Sequence, residues 1–314
     1  MPQPPKSRQP LIVGEVLFDQ FSTEDKVLGG APFNVAWNLQ GFGLSPTMLT
    51  AIGDDEEGNQ VQAAMERWGM SERGLQVVKD RPTGKVLVEV TGGEPTFDIL
   101  PDRAWDFIEP PDWNFQEEFS LLYLGSLASR SPKSRETILH LKKTSGLPIF
   151  VDINLRPPWF ELAWLPQLLA EVTWLKLNLS ELLMLADVTE IAPSMHGESG
   201  GDQAQRESAI LTATHRLHEL HGCEKFWITC GGDGAYLADG RGTLMFAPAP
   251  PPEPLVDAVG GGDAFASIAI FGQHENWDDR HTIDRAVHFA SQVCQMQGAT
   301  CEDPDFYQLE GAAE

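Results

Sequence analysis

A short glycine-rich motif near the carboxyl end of the chain carries the clearest chemical signal in this sequence. Gly260, Gly261 and Gly262 are followed by Asp263, and an apolar helical segment begins at once. Successive glycine amides can converge on one anion, and the positive end of a helix dipole strengthens that cradle. An aspartate there makes sense if it takes a proton from a hydroxyl that attacks a phosphoryl group. The alternative is a glycine turn in which Asp263 is an ordinary helix N-cap.

Two further motifs suit a nucleotide. The turn ITCGGDGAYL follows an apolar strand and offers Thr229, Gly231 and Gly234 as donors for phosphates, although a plain hairpin turn explains it equally well. Asn178 and Glu181 lie three residues apart where a strand gives way to a helix, which suits water-mediated Mg²⁺. The same spacing is typical of a helix-start capping pattern, and taken alone it favours that explanation.

Polar residues near the first strand suit a polyhydroxylated ligand. Asp19 follows that strand, and Gly29, Gly30 and Asn34 surround the start of the first helix. A carboxylate, an amide and open backbone supply the paired acceptors and donors that such a ligand needs, with a turn and an N-cap as the simpler explanation. Arg156 in VDINLRPP is a candidate ligand for phosphate or carboxylate, and a loop salt bridge is the alternative.

Patterns that would indicate a metal centre or a disulfide framework are weak. His215, His218 and His221 recur every third residue, but their register drifts around the helix, so a solvated helix face is favoured. The four cysteines form no C-x-x-C pair, which predicts reduced, mostly buried thiols.

The strands and helices that must position these residues alternate along the sequence. Apolar runs of strand length, beginning with LIVGEVLFDQF, are separated by amphipathic helical stretches. This pattern predicts a mostly parallel sheet with helices on both faces. Residues 80–108 break the rhythm with two alternating strands around Gly-Gly-Glu-Pro, which predicts a hairpin that serves as a lid or a dimerising flap. Residues 1–10 and 302–314 are expected to be tails.

Composition excludes several classes of function. The chain has 314 residues with 46 acidic and 22 basic side chains, a formal net charge of −24. Nucleic acids and anionic membranes both demand a basic surface, so neither is expected as a partner. No apolar run approaches the roughly 20 residues of a membrane span, and the start of the chain lacks the long apolar stretch of a signal peptide. We therefore expect a cytoplasmic protein.

Taken in order, these motifs resemble the ribokinase/PfkB family of sugar kinases. LGGAPFNVAWNLQGFG followed by AIGDDEEGNQV is similar to the family's N-terminal signature, and VDAVGGGDAF to its C-terminal D-T-x-G-A-G-D signature. The N-x-x-E and T-x-G-x-x-G motifs lie between them. The resemblance spans about residues 11–301, and PTGKVLVEV, RAWDFI, GSLASR and DINLRPPWF are most similar to fructokinase-like members.

This resemblance implies a fold and an activity. The fold is a three-layer α/β/α domain over residues 11–301, with a mostly parallel central sheet. A small β-sheet lid is formed by the hairpin at about 80–108 and parts of the N-terminal strands. The activity is ATP-dependent phosphorylation of a sugar hydroxyl, with fructose to fructose 6-phosphate as the best match, and it requires Mg²⁺ and, in many members, a monovalent cation such as K⁺. The lid also suggests a homodimer.

The resemblance also assigns roles by position. Asp263 is the catalytic base, and Gly260, Gly261 and Gly262 form its anion hole. The sugar is assigned to Asp19, Gly29, Gly30 and Asn34, with Arg156 where sugar and phosphate meet. The nucleotide, with its water-bound Mg²⁺, is assigned to Asn178, Glu181, Thr229, Gly231, Gly234 and Ser291. Asp257 stands where a monovalent-cation ligand is common.

Some positions depart from the family pattern and leave alternatives open. Ala258 stands where Thr is usual, and Ser291 where fructokinase-like chains often have Asn. The alternatives are a 2-keto-3-deoxygluconate or nucleoside kinase of the same family, or a catalytically silent sugar-binding relative. A sugar acid would demand a basic anchor, for which Arg103 and Lys85 are the candidates besides Arg156. A dinucleotide oxidoreductase is disfavoured because no G-x-G-x-x-G follows the first strand.

Overall fold

Nine strands form a central sheet within the part of the chain that the computed structural model describes, residues 8–22, 25–91, 94–160, 163–188 and 203–308. In their order across the sheet they are β13 (Leu244–Pro248), β12 (Gly234–Ala238), β11 (Lys225–Thr229), β10 (Trp174–Asn178), β9 (Ile149–Asp152), β8 (Phe119–Gly125), β1 (Gln9–Val13), β4 (Thr47–Gly53) and β5 (Leu75–Val78). The strands from β11 to β5 run parallel, and β12 and β13 are antiparallel at one edge. The predicted, mostly parallel sheet is confirmed.

Helices cover both faces of this sheet because its strands are apolar on both sides. Leu11 and Val13 belong to one core and Ile12, between them, to the other, as the alternation of a strand requires. The helices are α1 (Ala31–Gly41), α2 (Glu56–Arg67), α3 (Phe115–Glu118), α4 (Pro132–Thr144), α5 (Leu165–Leu169), α6 (Leu179–Val188), α7 (Gln203–His221), α8 (Gly261–His274) and α9 (Asp279–Val293). Helices α4 to α7 cover the Leu11 side, and α1, α2, α8 and α9 cover the Ile12 side. The three-layer α/β/α architecture is confirmed.

A second sheet of four strands forms the predicted lid. Its order is β3 (Lys26–Gly29), β2 (Leu17–Gln20), β6 (Gly84–Thr91) and β7 (Glu94–Ile99). Strands β6 and β7 pair antiparallel, which confirms the hairpin, although Gly92 and Gly93 of its turn lie outside the described residues. Strands β2 and β3 come from the N-terminal part of the chain, as the resemblance implied.

The first apolar run, LIVGEVLFDQF, divides between the two sheets. Strand β1 ends at Val13 in the central sheet, and β2 begins at Leu17 in the lid. A Cβ at Gly14 would lie 2.3 Å from Cγ of Pro32, so a larger residue would collide with the start of α1. This close approach lets the chain cross from one sheet to the other within three residues.

The packed chain extends beyond the boundary that we expected at residue 301. Tyr307 lies in a short 3₁₀ helix (Pro304–Tyr307) and is 4% exposed. Its hydroxyl donates to Oδ1 of Asn38 at 3.1 Å, and Nε1 of Trp37 donates to the carbonyl of Cys301 at 2.8 Å. These contacts tie the segment to α1, which the polar sequence around Tyr307 does not indicate.

The structure describes only part of each expected tail. Residues 1–7 and 309–314, within the expected tails, lie outside the described residues. At the amino end, β1 already begins at Gln9, two residues before the expected boundary.

Candidate active site

Asp263 lies in the first turn of α8. Gly260 precedes this helix with φ +82°, a left-handed conformation that glycine adopts without strain. The amide of Gly261 donates to the carbonyl of Ala258 at 3.4 Å. The amides of Gly262 and Asp263 belong to a first turn, which has no carbonyls of its own helix to accept them. The predicted anion cradle therefore depends more on the Gly262 and Asp263 amides than on Gly261.

A hydrogen bond joins Asp263 to α1. Nδ2 of Asn34 donates to Oδ2 of Asp263 at 2.8 Å, and these residues are 4% and 8% exposed. The amide of Asn34 donates to the carbonyl of Gly30 at 2.8 Å, and Gly30 takes φ +109°. A Cβ at position 30 would lie 2.8 Å from the carbonyl oxygen of Glu15, so only glycine lets α1 begin this close to the β1–β2 crossing. Two motifs 229 residues apart in sequence thus meet in one site.

Burial raises the pKa of Asp263 to about 6. Loss of hydration is the largest cause, and the Asp152 charge acts in the same direction. The Lys176 ammonium, the hydrogen bond from Asn34 and the Arg156 charge lower the pKa and keep the ionised form accessible. The carboxylate is mostly ionised at pH 7 and still binds a proton more readily than an exposed aspartate, which is the property of a general base.

Asp19 on β2 joins the same cluster from the lid. Its Oδ2 and the Oδ1 of Asn34 each lie 3.6 Å from the position that a Cβ would take at Gly29. Burial raises the pKa of Asp19 to about 6; the Arg156 charge lowers it and the Asp257 charge raises it. Oδ1 of Asn34 is buried without a hydrogen-bond partner in the described part of the chain. The predicted sugar residues therefore meet around an unused acceptor.

Arg156 lies in the loop after β9, which ends at Asp152. Its side chain is exposed. Its positive charge lowers the pKa values of Glu15, Asp19 and Asp263, which places it within electrostatic range of the whole carboxylate cluster.

A buried ion pair beside α8 was not among the predicted site residues. Nζ of Lys176 lies 3.1 and 2.9 Å from Oδ1 and Oδ2 of Asp152, its register partner on the neighbouring strand. The same Nζ lies 3.1 Å from the position that a Cβ would take at Gly262. An ammonium beside the positive end of a helix is unfavourable unless an anion joins them. The carboxylates of Asp152 and Asp263 already offset this repulsion, and an anion bound next to Gly262 would contact both positive groups.

Glu15 is a second buried charge that lies outside the motifs recognised in the sequence. It lies in the β1–β2 crossing, is 3% exposed, and its Oε2 is buried with no hydrogen-bond partner among the described residues. Burial raises the pKa of Glu15 to about 7. The signal that could have found Glu15, Asp152 and Lys176 is the same for all three, a charged residue inside an otherwise apolar strand-length run.

On the other side of the site, Asn178 and Glu181 form a capping box. Oδ1 of Asn178 accepts from the amide of Glu181 at 2.8 Å, and Oε2 of Glu181 accepts from the amide of Asn178 at 2.8 Å. Oε1 of Glu181 accepts from the amide of Leu155 at 2.7 Å. The capping alternative is thus confirmed, and Glu181 also holds the loop that leads to Arg156. Burial raises the pKa of Glu181.

The T-x-G-x-x-G motif is the turn of a hairpin. Thr229 ends β11, Gly234 begins β12, and the two strands pair antiparallel. Gly231 takes φ +56° and is exposed, whereas a Cβ at Gly234 would lie 2.1 Å from the carbonyl oxygen of Ala247. The hairpin explanation is therefore confirmed for the backbone, and the exposed turn lies at the end of β11, next to the end of β10 and Asn178.

The side chains of Asp257 and Ser291 both form hydrogen bonds to the backbone. Oδ1 and Oδ2 of Asp257 accept from the amides of Val259 at 2.9 Å and Gly298 at 3.2 Å, which ties the segment before α8 to the chain after α9. The hydroxyl of Ser291 is buried and donates to the carbonyl of Pro250 at 2.7 Å. Ser291 therefore fixes the Pro-rich connector, and its hydroxyl already has a partner.

Neither a metal cage nor a membrane-spanning helix is found among the described residues. No group of three or more His, Cys, Asp or Glu side chains comes together there as a metal cage. Nδ1 of His215 lies 2.9 Å from the carbonyl of Gly240, and Nδ1 of His218 lies 2.7 Å from that of Cys223, so these histidines contact separate backbone groups. None of the helices described is long and apolar enough to cross a membrane.

Comparison with known proteins gives a family match over nearly the whole chain. The model of the pfkB family of carbohydrate kinases matches residues 12–305. A Pyrococcus horikoshii protein named as a sugar kinase is 28% identical over 274 residues, which cover 83% of this chain and 81% of that protein. The 5-dehydro-2-deoxygluconokinase of Clostridium tetani is 24% identical and covers 88% of this chain and 80% of its own length.

Solved structures share the fold. The fructokinase of Xylella fastidiosa, crystallised with bound ATP, superposes with a TM-score of 0.76 at 19% identity, over 93% of this chain and 94% of that one. The P. horikoshii protein, crystallised with ATP, superposes with a TM-score of 0.74 at 22% identity, over 92% and 93%.

Proposed function

Because the chain belongs to the pfkB family of carbohydrate kinases, we propose that it transfers the γ-phosphoryl group of ATP to a hydroxyl of a neutral sugar, with fructose as its preferred acceptor. The observation that carries this proposal is the buried Asp263 carboxylate, held by Asn34 in the first turn of α8. ATP as the donor is supported by the relatives crystallised with it.

The proposed reaction uses Asp263 as the proton acceptor. The sugar hydroxyl forms a bond to the γ-phosphorus, the bond from that phosphorus to the β–γ bridging oxygen breaks, and ADP leaves. The hydroxyl proton moves to Asp263, whose pKa of about 6 keeps it ionised and basic at neutral pH. The amides of Gly262 and Asp263, for which no acceptor is found among the described residues, and the Lys176 ammonium lie where they would stabilise the charge on the transferred group.

Lys176 has donor capacity left for a phosphoryl oxygen. An ammonium has three N–H donors, and within the described residues the two oxygens of Asp152 take two of them. The remaining donor, next to Gly262, would bind the same oxygen atoms as the helix amides. Lys176 thereby supplies a buried positive charge on the phosphoryl path of a strongly acidic chain.

Mg²⁺ fits this site as a water-bound ion. Mg²⁺ usually keeps several waters and binds one or two carboxylates together with substrate phosphates. Glu181 is buried, and its oxygens keep lone pairs beyond the two amides they accept, so it would hold that hydration shell together with Asn178. The ion would neutralise phosphate charge, and excess EDTA should therefore abolish turnover. Asp257 remains our candidate for a K⁺ ligand, because its two oxygens also keep lone pairs.

The charge of the acceptor side favours a neutral sugar over a sugar acid or a sugar phosphate. Within the described part, the carboxylates of Glu15, Asp19, Asp152 and Asp263 lie within electrostatic range of three cations, Lys176, Arg130 and Arg156. Arg130 already pairs with Asp106. A substrate carboxylate or phosphate placed beside Asp19 and Asp263 would meet like charge in a low-dielectric site. Hydroxyl groups, by contrast, are donors for the unused acceptor of Asn34.

One observation favours a sugar acid as the second candidate. Lys85, a possible carboxylate anchor, lies 2.9 Å from Oε1 of Glu57, so its charge is already paired. Arg103, the other anchor, is half-buried, and its Nε has no hydrogen-bond partner in the described residues. The 5-dehydro-2-deoxygluconokinase relative is named for a sugar acid. Arg103 is therefore the residue through which this candidate is tested.

A coupled assay of ADP release tests the proposal. Fructose, ribose, fructose 6-phosphate, 2-keto-3-deoxygluconate, 5-dehydro-2-deoxygluconate and a nucleoside are compared at equal concentrations. We expect the largest kcat/KM with fructose, and no change with fructose when Arg103 is replaced by Gln. Arg216→Gln on the exposed face of α7 is the matched control for loss of one positive charge.

The outcomes separate the candidates. A higher kcat/KM for an acid, lost in Arg103→Gln and kept in Arg216→Gln, would establish the sugar-acid kinase instead. Thermal stabilisation by fructose without any ADP release would establish a silent sugar-binding relative.

A homodimer through the lid and a cytoplasmic location complete the proposal. Strand β7 is an edge strand of the lid, and Phe97 on it is 51% exposed. Unpaired edges with apolar side chains are surfaces on which a second copy can pair. Sedimentation should therefore give a dimer, and Phe97→Lys should shift it towards monomer.

A further inference from the structure

The lid sheet has one face towards the acceptor site and the other towards α2. On β2, Asp19 lies beside Asn34 in the site, whereas the preceding residue, Phe18, belongs to the core that α2 also lines. Successive residues of a strand point to opposite faces, so the register partner of Phe18 on β6, Lys85, shares its face. Nζ of Lys26 on β3 lies 5.0 Å from the centre of the Phe18 ring. The face opposite Asp19 therefore carries two lysines.

One carboxylate of α2 joins both lysines, and we call Glu57, Lys26 and Lys85 the lid clamp. Oε1 of Glu57 lies 2.9 Å from Nζ of Lys85 and 3.5 Å from Nζ of Lys26. The glutamate side chain is 25% exposed and each lysine side chain 23%, so their charges are screened less than those of an open surface pair. The hydrogen bond from Lys85 lowers the pKa of Glu57, which keeps this carboxylate ionised. Glu57 thus connects β3 and β6, the strands on either side of β2 and Asp19.

The start of α2 gives the lid clamp a fixed support. Asp55 caps this helix, and its Oδ1 accepts from the amide of Gly58 at 2.7 Å. The two oxygens of Asp55 also accept from the hydroxyl of Thr83 at 2.6 Å and from its amide at 2.8 Å. Thr83 directly precedes β6, and its Oγ1 accepts from the amide of Gly53, the last residue of β4, at 2.9 Å. Glu57 therefore acts on the lid from a point that is tied to the central sheet.

Neutralising Glu57 would do more than remove two attractions. Lys26 and Lys85 both approach the same oxygen atom, so without its charge they would face each other and repel. A glutamate in the first turn of a helix is favoured by the helix dipole alone, and Glu56 in the same turn meets that need equally well. Glu56 is exposed and accepts from Nε2 of Gln60 on its own helix. The two adjacent glutamates therefore allow contact with the lid to be tested against charge alone.

We propose that Glu57 is a positioning residue of the phosphoryl transfer, because its hold on the two lid lysines fixes the orientation in which Asp19 meets the acceptor sugar. Glu57 acts through Asp19 and does not contact the sugar itself. This inference rests on the proposed function, in which Asp19 binds the sugar. The proposed base, Asp263, lies on α8 and outside the lid. Loss of the lid clamp should therefore weaken sugar binding and leave the chemical step nearly unchanged.

The kinetic test compares kcat and KM of the wild type with those of Glu57→Gln, Glu57→Asp and Glu56→Gln. Glu57→Gln should raise the KM for fructose by about threefold to tenfold, the range expected when partly shielded ion pairs are lost. Its kcat and its KM for ATP should stay within about twofold of the wild type. Glu57→Asp keeps the charge and should restore much of the lost affinity. Glu56→Gln removes the same charge from the same helix turn and should behave as the wild type.

Double variants test whether the effect runs through Asp19. Asp19→Asn alone should raise the Kd for fructose, measured by calorimetry. Adding Glu57→Gln to it should raise the Kd little further, because the side chain that the lid orients is already changed. Adding Lys85→Met to Glu57→Gln should recover part of the affinity, because it removes the repulsion between Lys85 and Lys26. A lid that was merely destabilised would give additive losses in both cases.

A further measurement depends on neither turnover nor sugar. Hydrogen exchange of the backbone amides is followed by mass spectrometry in the ligand-free wild type, Glu57→Gln and Glu56→Gln. Glu57→Gln should speed exchange in β2 and β6 of the lid and leave β8 of the central sheet unchanged. Glu56→Gln should exchange as the wild type does in all three strands.

Each outcome supports or overturns the inference. An unchanged KM and Kd for fructose in Glu57→Gln overturn it, and so do additive losses in the Asp19→Asn background. Unchanged exchange of the lid strands overturns the lid clamp itself, whether or not the protein phosphorylates a sugar. Faster lid exchange in a protein that neither binds nor phosphorylates any sugar of the panel supports the lid clamp and is failure of the proposed function.

Discussion

The side of the site that we propose for the sugar acceptor and the side that we propose for the nucleotide use their polar residues in opposite ways. On the acceptor side, Asn34 and Glu15 are buried with side-chain oxygens that lack partners within the described residues, beside Asp263. On the nucleotide side, Glu181 and Ser291 are also buried, but their side chains bond to the backbone. One side presents side chains, and the other presents backbone that side chains hold in place.

This difference follows from what each side is proposed to bind. A neutral sugar offers hydroxyl donors, so its site needs acceptors that nothing else satisfies, and burying them lowers stability. Nucleotide phosphates are acceptors, which backbone amides can bind without any basic side chain. A chain with a net charge of −24 has an excess of anions, so the proposed phosphate site would depend on well-held amides, on Lys176 and on a divalent ion.

Among these changes, replacement of Asp263 should have the largest effect on turnover. Asp263→Asn keeps the shape and the Asn34 contact but cannot accept the proton. We expect kcat to fall by about a hundredfold to ten-thousandfold, with sugar affinity by calorimetry nearly unchanged. Asp284→Asn on the exposed face of α9 is the control and should behave as the wild type. Turnover near normal in Asp263→Asn would remove Asp263 as the base.

Variants of the buried ion pair between Lys176 and Asp152 distinguish its effect on stability from its effect on catalysis. Lys176→Met leaves Asp152 charged and buried without its partner, which should lower the free energy of unfolding by about 3 to 5 kcal/mol. Adding Asp152→Asn removes the buried charge and should recover much of that loss. If Lys176 binds the phosphoryl group, kcat should remain at least about tenfold low in the double variant. Recovery of turnover together with stability would assign Lys176 a purely structural role.

The raised pKa values of the buried carboxyl groups predict how the free energy of unfolding changes with pH. The pKa of Glu15 rises from 4.5 to about 7 on folding, so the folded state favours the protonated form. This contribution is complete below about pH 4.5 and is lost as pH rises through 7. Between pH 5 and pH 8, the free energy of unfolding of the wild type should therefore fall by about 2 to 3 kcal/mol more than that of Glu15→Gln. Urea unfolding of both proteins measures this difference, and parallel pH dependences would show that Glu15 titrates normally.

The smallest effect is expected from the cap on the nucleotide side. Glu181→Gln keeps one acceptor oxygen for the amides of Asn178 and Leu155, so the free energy of unfolding should fall by only about 1 to 2 kcal/mol. The half-saturating Mg²⁺ concentration should rise if Glu181 also orders the hydration shell of the ion. A change in stability alone, with unaltered Mg²⁺ dependence, would restrict Glu181 to capping.

Local patterns were sufficient for most of the fold. The lid hairpin follows from alternation around a glycine turn, and the parallel sheet follows from apolar runs separated by helices. Two boundaries that the structure adds have a common cause. Gly14 ends β1 because Pro32 of α1 approaches it, and Tyr307 is buried because α1 offers it a surface. Both contacts join segments that are distant in sequence, and no local pattern shows them.

The candidate site shows the same division. The glycine motif with Asp263 and the start of α1 with Asn34 were identified as separate motifs, but their hydrogen bond spans 229 residues. Lys176 and Asp152 become partners only through the register of two strands. A charge inside an apolar run is visible in the sequence, but its partner, burial and effect on a third group are not.

The sequence by itself determined which chemical groups are available, namely a carboxylate at a helix start, glycine amides, a capping box and few basic residues within these motifs. These are properties of short segments and of composition, so they can be recognised in the chain. Only the tertiary structure decided which groups are buried together and which oxygens lack partners. Desolvation and charge coupling depend on distances between elements, and the pKa values of Glu15, Asp19 and Asp263 are set by those distances.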